Sequence, residues 1–274
     1  MPVGGGESAS VRELRLPEPR YVSDIRFDPE GRYLFVVNVS DAWIVPLDGG
    51  PCVPVVPDIE ERQLEAGAIS PSGARVATAL LQGEGAGTLY VFDVAARSLQ
   101  SFTLPQPDKR TATPGVWCLG FLDEETLLTA GWGGIRRWDL TTGTHTLVAA
   151  SEGLWGMAMS LATGTVVTWG FSWSSDRAEI PGIELHDLAT GNSRPLDAFG
   201  RNPSAVDIDP SGTVLATCSN DGTVRVGRPD GGEPHVLLAH TGGVRRVAIS
   251  PDLRWVASAG EDGTLRLWPV PDLS

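Results

Sequence analysis

The sequence predicts an all-β fold, a six-bladed β-propeller built from four-stranded antiparallel blades. The first observation is local: short segments of alternating apolar and polar residues follow one another between turns rich in Gly, Pro and Asp. Alternation with a period of two buries one face of a segment, as in an antiparallel strand. The second observation is a repeat, because groups of such segments recur about every 40–50 residues, close to the length of one propeller blade.

The repeat is clearest near the C-terminus, where two consecutive units align by eye. Residues 204–227 are SAVDIDPSGTVLATCSNDGTVRVG, and residues 244–270 are VRRVAISPDLRWVASAGEDGTLRLWPV. The second turn of each unit carries Asp-Gly, at 221–222 and at 262–263. Glycine tolerates the positive φ that a tight hairpin turn requires. Each unit therefore predicts three antiparallel strands.

The same frame continues upstream through four looser units, so the chain contains six. An apolar residue closes the first strand of each unit, at Phe27, Ile69, Phe121, Met159, Ile208 and Ile249. We expect the blades to start near residues 22, 64, 116, 154, 203 and 244. Because no composition shift separates the units and no segment has helical periodicity, residues 11–274 are predicted to form one propeller domain after a flexible tail at 1–10.

A fourth strand follows five of the six units. These strands are predicted at residues 52–56, 98–104, 144–149, 193–196 and 235–239. The missing strand has a candidate in VRELRL at 11–16, which precedes the first unit. We expect this N-terminal strand to pair with the last blade, because the ring then closes and no strand edge is left exposed.

The composition argues against several classes of function. The 274 residues carry a net charge of −13, with 34 acidic and 21 basic residues, and only Lys109 is a lysine. A protein that binds nucleic acid or an anionic membrane surface needs a basic stripe, which we do not find. No apolar run approaches the ~20 residues of a membrane helix and no secretory signal is visible, so we expect a cytoplasmic protein. The bias toward arginine indicates a GC-rich, bacterial genome.

Metal, phosphate and redox motifs are not found in the sequence. Three cysteines are scattered about one per repeat, at Cys52, Cys118 and Cys218. Four histidines fall on different strands or loops, at His145, His186, His235 and His240. This spacing predicts buried free thiols and no metal site. The glycine-rich stretches at 4–8 and 83–87 open no helix that could hold a phosphate, so we also expect no cofactor.

The last unit resembles a known repeat. Residues 239–269, AHTGGVRRVAISPDLRWVASAGEDGTLRLWP, are similar to the repeat of the WD-repeat (WD40-type) β-propeller family. Ala239-His240 stands in place of Gly-His, and Trp268-Pro269 stands in place of Trp-Asp. Trp138-Asp139 keeps the Trp-Asp dipeptide in the third unit. The resemblance is specific in the last unit and weak in the others, and it implies the same propeller fold.

The resemblance also implies a role for four residues of the last unit. They would form a structural hydrogen-bond chain inside the blade, made of His240, Ser258, Asp262 and Trp268. Serine, histidine and aspartate together could instead suggest a hydrolase triad, but Ser258 lies within a predicted strand and no G-x-S-x-G turn surrounds it. Buried polar groups need partners, and this need accounts for all four residues. We therefore predict no catalytic residue.

Members of the family commonly contact their partners at the second residue of each first strand. The equivalent positions here are Ser23, Glu65, Trp117, Trp155, Ser204 and Arg245. The resemblance thus implies a partner-binding face, to which the third and fourth units add tryptophans in loops. The predicted partner-binding residues are Trp117, Trp155, Trp173, Arg245, Trp132 and Glu65. Tryptophan beside arginine is typical of binding hot spots, although Trp117 and Trp155 could equally fill the core.

Two functions of different classes remain open. The sequence favours a protein-interaction scaffold or regulatory propeller that has no catalytic activity and binds a protein or peptide. The alternative is a propeller enzyme, a hydrolase or lyase, with its site at the channel mouth, because fold alone does not decide function. Such an enzyme would need histidine and acidic residues that converge on the channel, and the six equivalent positions are a poor match. The partner's identity and the oligomeric state stay open.

Overall fold

The computed structural model describes residues 16, 21–56, 63–81, 87–105, 115–131, 133–150, 153–170, 182–200, 203–238 and 240–273. Within these ranges the chain forms six antiparallel sheets, in which each strand pairs with the next one along the chain. We number the sheets 1 to 6 in chain order. The one helical element of the described ranges is a single 3-10 turn at Asp197–Phe199. The prediction of an all-β fold is therefore confirmed.

Sheets 1 to 3 have four strands each. Sheet 1 contains β1 (Val22–Phe27), β2 (Tyr33–Asn38), β3 (Ala42–Pro46) and β4 (Val53–Val56). Sheet 2 contains β5 (Gln63–Ile69), β6 (Arg75–Leu81), β7 (Thr88–Asp93) and β8 (Ser98–Thr103). Sheet 3 contains β9 (Val116–Phe121), β10 (Thr126–Gly131), β11 (Gly134–Asp139) and β12 (Thr144–Ala149).

Sheets 4 and 5 also have four strands, whereas sheet 6 has three in the described ranges. Sheet 4 contains β13 (Leu154–Ser160), β14 (Thr165–Gly170), β15 (Ile183–Asp187) and β16 (Ser193–Pro195). Sheet 5 contains β17 (Pro203–Ile208), β18 (Leu215–Ser219), β19 (Thr223–Gly227) and β20 (His235–Leu238). Sheet 6 contains β21 (Val244–Ile249), β22 (Trp255–Gly260) and β23 (Leu265–Pro269).

The tight turns lie where the sequence carries Asp-Gly. Gly222 lies between β18 and β19, and Gly263 lies between β22 and β23. Their φ angles are +85° and +73°, in the left-handed region that glycine adopts without the steric cost of a β-carbon. The Asp-Gly pairs therefore fix where these hairpins fold.

The core consists of five buried clusters, and each cluster joins two successive sheets. Representative pairs from sheet 1 to sheet 6 are Phe35 with Leu80, Leu89 with Trp138, Ile135 with Val166, Ile183 with Leu215, and Val224 with Val256. The first strands follow the same order, because β1 packs on β5, β5 on β9, and so on to β17 on β21. This successive face-to-face packing is what propeller blades require.

The outer faces of sheet 6 and sheet 1 differ from these five interfaces. On sheet 5, Val224 and Val226 are completely buried beneath sheet 6. The corresponding residues of sheet 6, Leu265 and Leu267, are 72% and 59% exposed, and Phe27 on sheet 1 is 70% exposed. The described residues thus do not show a closed ring. Residues 11–15 of the predicted closing strand lie outside the described residues, and Leu16 is described without a strand.

Candidate protein interface

Every first strand carries a β-bulge near its start. Where the first strand pairs with the second, the first strand has one extra residue that the ladder skips, at Ser23, at Glu65–Ala66, and at Trp117, Trp155, Ser204 and Arg245. A bulge disrupts the local ladder and turns the side chain of the extra residue away from its strand neighbours. The same six positions that the repeat aligns by sequence are therefore irregular in backbone as well.

The six bulges surround one end of a central channel of about 1380 Å³, which is lined by the first strands of all six sheets. We call this end the mouth and define it by six residues, Ser23, Glu65, Trp117, Trp155, Ser204 and Arg245. Because one strand from each sheet supplies one mouth residue, the mouth is a composite surface. Its chemistry follows from the identities of these six side chains.

Two tryptophans dominate the mouth. The rings of Trp117 on sheet 3 and Trp155 on sheet 4 stack with centroids 5.8 Å apart and planes 5° from parallel. Trp155 is 46% exposed, whereas Trp117 is only partly accessible. Beneath them, the Cys118 thiol lies 3.6 Å from the carbonyl oxygen of Trp155, and burial raises the pKa of this thiol to about 11. The cysteine is therefore a neutral packing residue that joins the two sheets.

The indole N–H of Trp117 is buried and has no acceptor among the described residues. Two other indole nitrogens are paired, since Trp138 donates to Thr129 over 3.1 Å and Trp268 donates to Ser258 over 2.9 Å, whereas the indole N–H of Trp43 is also buried without an acceptor among the described residues. A buried donor without an acceptor costs folding free energy. The mouth therefore contains a hydrogen-bond donor, the Trp117 indole N–H, that no acceptor in the described part of the protein satisfies.

Glu65 is the acidic residue of the mouth. Its side chain is half-buried, and desolvation raises the pKa of its carboxyl group. No salt bridge or hydrogen bond joins this carboxylate to another described residue. Arg245, in contrast, is already engaged, because it contacts Glu261 and donates to Asn220 over 3.3 Å. Two further residues of the predicted binding set, Trp132 and Trp173, lie outside the described residues.

The four residues of the predicted structural chain are joined by hydrogen bonds inside sheet 6. The Trp268 indole N–H donates to the Ser258 hydroxyl, which lies 2.8 Å from Nε2 of His240. Nδ1 of His240 lies 3.1 Å from both carboxylate oxygens of Asp262. Since the carboxylate can only accept, Nδ1 carries the proton and Nε2 accepts from the serine. The relay runs in one direction and pairs every group in it.

This arrangement cannot serve as a hydrolase triad. Ser258 is 1% exposed, and its oxygen already accepts from Trp268 while it faces His240. A nucleophile needs substrate access and an oxyanion site. Bonds from Thr264 and His240 hold the pKa of the Asp262 carboxyl well below its usual range, which keeps it an ionised acceptor. The hydrogen-bond chain of these four residues therefore stabilises sheet 6.

A buried hydroxyl recurs on the second strand of sheets 2 to 5, which the sequence reasoning did not use as a repeat marker. The equivalents of Ser258 are Thr78, Thr129, Thr168 and Thr217, all fully or nearly fully buried. On sheet 4, Thr168 lies 2.8 Å from Nε2 of His186, which replaces the tryptophan. The signal was visible as one Ser or Thr at a fixed place in five units. Sequence also gave no sign of the six bulges.

The described ranges contain neither a candidate metal site nor a helix that could span a membrane. No group of three or more His, Cys, Asp or Glu side chains comes together there in a way that could bind a metal ion. None of the helical structure in those same ranges is long and apolar enough to cross a membrane.

The six meandering sheets and their composite mouth define a repeat protein. Two segments of this chain, residues 197–226 and 231–269, match the family described as "WD domain, G-beta repeat", and their strands belong to sheets 5 and 6. The match covers the two units that the sequence aligns most clearly. It also contains all four residues of the hydrogen-bond chain.

Relatives match over short segments. The chain is 38% identical over 76 residues to "WD repeat, SAM and U-box domain-containing protein 1" of Danio rerio, covering 27% of this chain and 16% of that protein. It is 36% identical over 80 residues to "Cilia- and flagella-associated protein 52" of Sus scrofa, covering 28% and 13%. It is also 36% identical over 86 residues to "Nuclear distribution protein PAC1" of Arthroderma benhamiae, covering 31% and 17%.

The matched segments span about a sixth of these relatives' length or less. All three organisms are eukaryotes. The comparisons therefore do not support the bacterial origin that the arginine bias suggested.

Proposed function

We propose that this protein is an interaction scaffold that binds a protein or peptide partner at the mouth of its channel and catalyses no reaction. WD40 repeat proteins generally act as protein-interaction scaffolds. The observation that carries the proposal is the stacked pair of Trp117 and Trp155, which lies where six strands converge and keeps Trp155 46% exposed. Tryptophan on such a surface is the residue that most often dominates binding energy.

The geometry favours a macromolecular ligand over a small one. The mouth is contributed by six separate strands, so its groups are spread around an open rim. A stacked tryptophan pair offers a large, rigid apolar surface at low cost in side-chain entropy, which suits an anchor residue of a protein or peptide. The alternative, a hydrolase or lyase at the mouth, gains no support, because no histidine is found among the described residues that line the channel.

The test is capture of partners with matched tryptophan variants. Trp155→Ala removes the exposed ring at the mouth, and Trp255→Ala removes a ring of similar exposure, 40%, on sheet 6 away from the mouth. We expect proteins captured from a lysate of the encoding organism by the wild type and by the Trp255 variant to be lost with the Trp155 variant. Equal loss with both variants, or with neither, would contradict the assignment of the mouth.

We also infer that residues 11–274 form one closed six-bladed ring, in which residues 11–16 supply the fourth strand of sheet 6. Two facts support this inference. Sheet 6 has three strands in the described ranges, and the apolar faces at Leu265, Leu267 and Phe27 are exposed. In each of the five interfaces between successive sheets, such faces are buried.

Deleting residues 1–16 tests closure, and deleting residues 1–10 is the control. Burial of Leu14 and Leu16 would contribute about 3–6 kcal/mol, a large share of the ~5–15 kcal/mol that keeps a domain folded. We expect the longer deletion to lower the melting temperature sharply or to cause aggregation, and the shorter one to change little. Identical melting of both deletions and the full chain would refute the closed ring.

A further inference from the structure

We propose that the mouth binds a lysine or arginine side chain of the partner, held between the carboxylate of Glu65 and the stacked rings of Trp117 and Trp155. This inference rests on the proposed function, because it specifies the chemistry of the same site. It defines the partner as a protein or peptide that presents a basic residue to the channel.

The first argument comes from the charged residues that line the channel and from their partners. Six charged residues line it in the described ranges: Asp24, Arg26, Glu65, Asp207, Arg245 and Arg246. Asp24 pairs with Arg26 at 3.0 Å, and the Asp207 carboxylate accepts the backbone N–H of Ile249 over 2.7 Å. Arg245 contacts Glu261, and Arg246 donates to the carbonyl oxygen of its neighbour over 3.0 Å. Glu65 alone has no partner among the described residues.

An unpaired carboxylate that is half-buried is a poor arrangement for the free protein. Taking a carboxylate out of water costs free energy unless a cation or hydrogen-bond donors replace the water. Desolvation is the cause that raises the pKa of Glu65, and no described group compensates for it. A guanidinium or ammonium group from a partner would supply the missing countercharge in a partly desolvated site, where charge-assisted bonds are strong.

The second argument comes from the tryptophan pair, whose rings would contact the basic side chain beside Glu65. Glu65 and Trp117 occupy equivalent positions on sheets 2 and 3, and their strands β5 and β9 pack directly on each other. The π face of tryptophan attracts cations more strongly than that of any other side chain, and arginine also stacks on it. Stacking of the two rings adds apolar surface for the methylene stem of a long basic side chain.

The overall charge favours the same class of ligand. A net charge of −13 attracts basic partners over long distances and repels acidic ones. An acidic anchor would face an unpaired carboxylate at the mouth, and an apolar anchor would leave that carboxylate buried without a countercharge. A basic residue is therefore the occupant that both the local and the long-range electrostatics favour.

Short peptides test the inference on the full chain. The probes are acetyl-Gly-Arg-Gly-amide, its lysine analogue, and its citrulline analogue, which keeps the shape of arginine without the charge. Binding is followed by the indole N–H signals in NMR spectra of 15N-labelled protein, with Trp117 and Trp155 assigned by phenylalanine variants. We expect saturable shifts of these two signals at millimolar concentrations with arginine and lysine, and none with citrulline.

Two matched variants separate charge from shape. Glu65→Gln should weaken binding of the arginine peptide about tenfold, whereas Glu233→Gln, which removes an equal charge from an exposed loop of sheet 5, should leave it unchanged. Equal binding of citrulline and arginine, an unaffected Glu65 variant, or no saturable shift up to about 10 mM peptide would overturn the inference.

Failure of this inference is distinguishable from failure of the proposed function. A captured partner whose affinity falls with Trp155→Ala but not with Glu65→Gln would leave the mouth as the binding site and reject the basic anchor. A partner whose affinity responds to neither variant would reject both. Melting temperatures of all variants, recorded in parallel, show that each protein is folded.

Discussion

Sheet 6 and the mouth of the channel both place tryptophan beside polar side chains, and they differ in how those polar groups are satisfied. In sheet 6, Trp268, Ser258, His240 and Asp262 form an uninterrupted relay with a partner for each group. At the mouth, the indole N–H of Trp117 and the carboxylate of Glu65 have no partner among the described residues. The polar groups of sheet 6 therefore stabilise the fold by bonding to one another, whereas those of the mouth can still form bonds to a ligand.

The contrast follows from burial and from the bulges. The side chain of His240 is fully buried and that of Asp262 is 7% exposed, so unpaired groups there would cost free energy without any compensation. At the mouth, each bulge removes one residue from the regular ladder and Trp155 stays accessible. Local irregularity of this kind is expected where a binding surface, and not stability, determines the residue.

Among single substitutions that compare the two regions, the largest effect on stability is expected for His240→Ala. Ser258 then loses the acceptor of its hydroxyl inside the sheet, and we expect the free energy of unfolding to fall by about 1–3 kcal/mol. His235→Ala is the control, because His235 is exposed and its Nε2 lies 3.2 Å from the carbonyl oxygen of Asp272, outside the relay. Urea denaturation measures both variants. Equal stabilities of the two would mean that the relay does not stabilise sheet 6.

A smaller effect compares a paired tryptophan with an unpaired one. Trp268→Phe removes an indole N–H that donates to Ser258, and we expect a loss of about 1 kcal/mol in the free energy of unfolding. Trp117→Phe removes a buried N–H that has no acceptor in the described ranges, so we expect a change within about 0.5 kcal/mol. The comparison would fail if the Trp117 variant were the less stable one.

The sequence predicted the six sheets because the signals for them are local. Alternating segments and Asp-Gly turns specify hairpins, and the 204–227 and 244–270 units repeat them almost residue for residue. What sequence could not predict depends on packing between sheets. The sequence aligned Trp117 with Trp155 but did not decide whether these tryptophans fill the core or form an interface. Their stacking depends on two sheets that meet face to face, which the sequence does not show.

Glu65 illustrates the same limit at the level of chemistry. The sequence aligns Glu65 with the partner-contact positions, but it also places this residue near Glu60 and Glu61, and such a group of glutamates usually marks a solvated loop. In the structure Glu65 lies within β5, half-buried at a bulge. Burial and the absence of a described partner, which give this residue its interest, arise only once the first strands surround the channel.

One experiment tests the central claim, that the mouth binds a partner and sheet 6 stabilises the fold. It measures the dissociation constant of a captured partner and the melting temperature for both Trp155→Ala and His240→Ala, at a temperature where both variants are folded. We expect Trp155→Ala to weaken binding about thirtyfold, or about 2 kcal/mol, with little change in melting. We expect His240→Ala to lower the melting temperature and leave the dissociation constant unchanged. Unchanged affinity of the Trp155 variant, or an equal loss of affinity in both, would contradict the account.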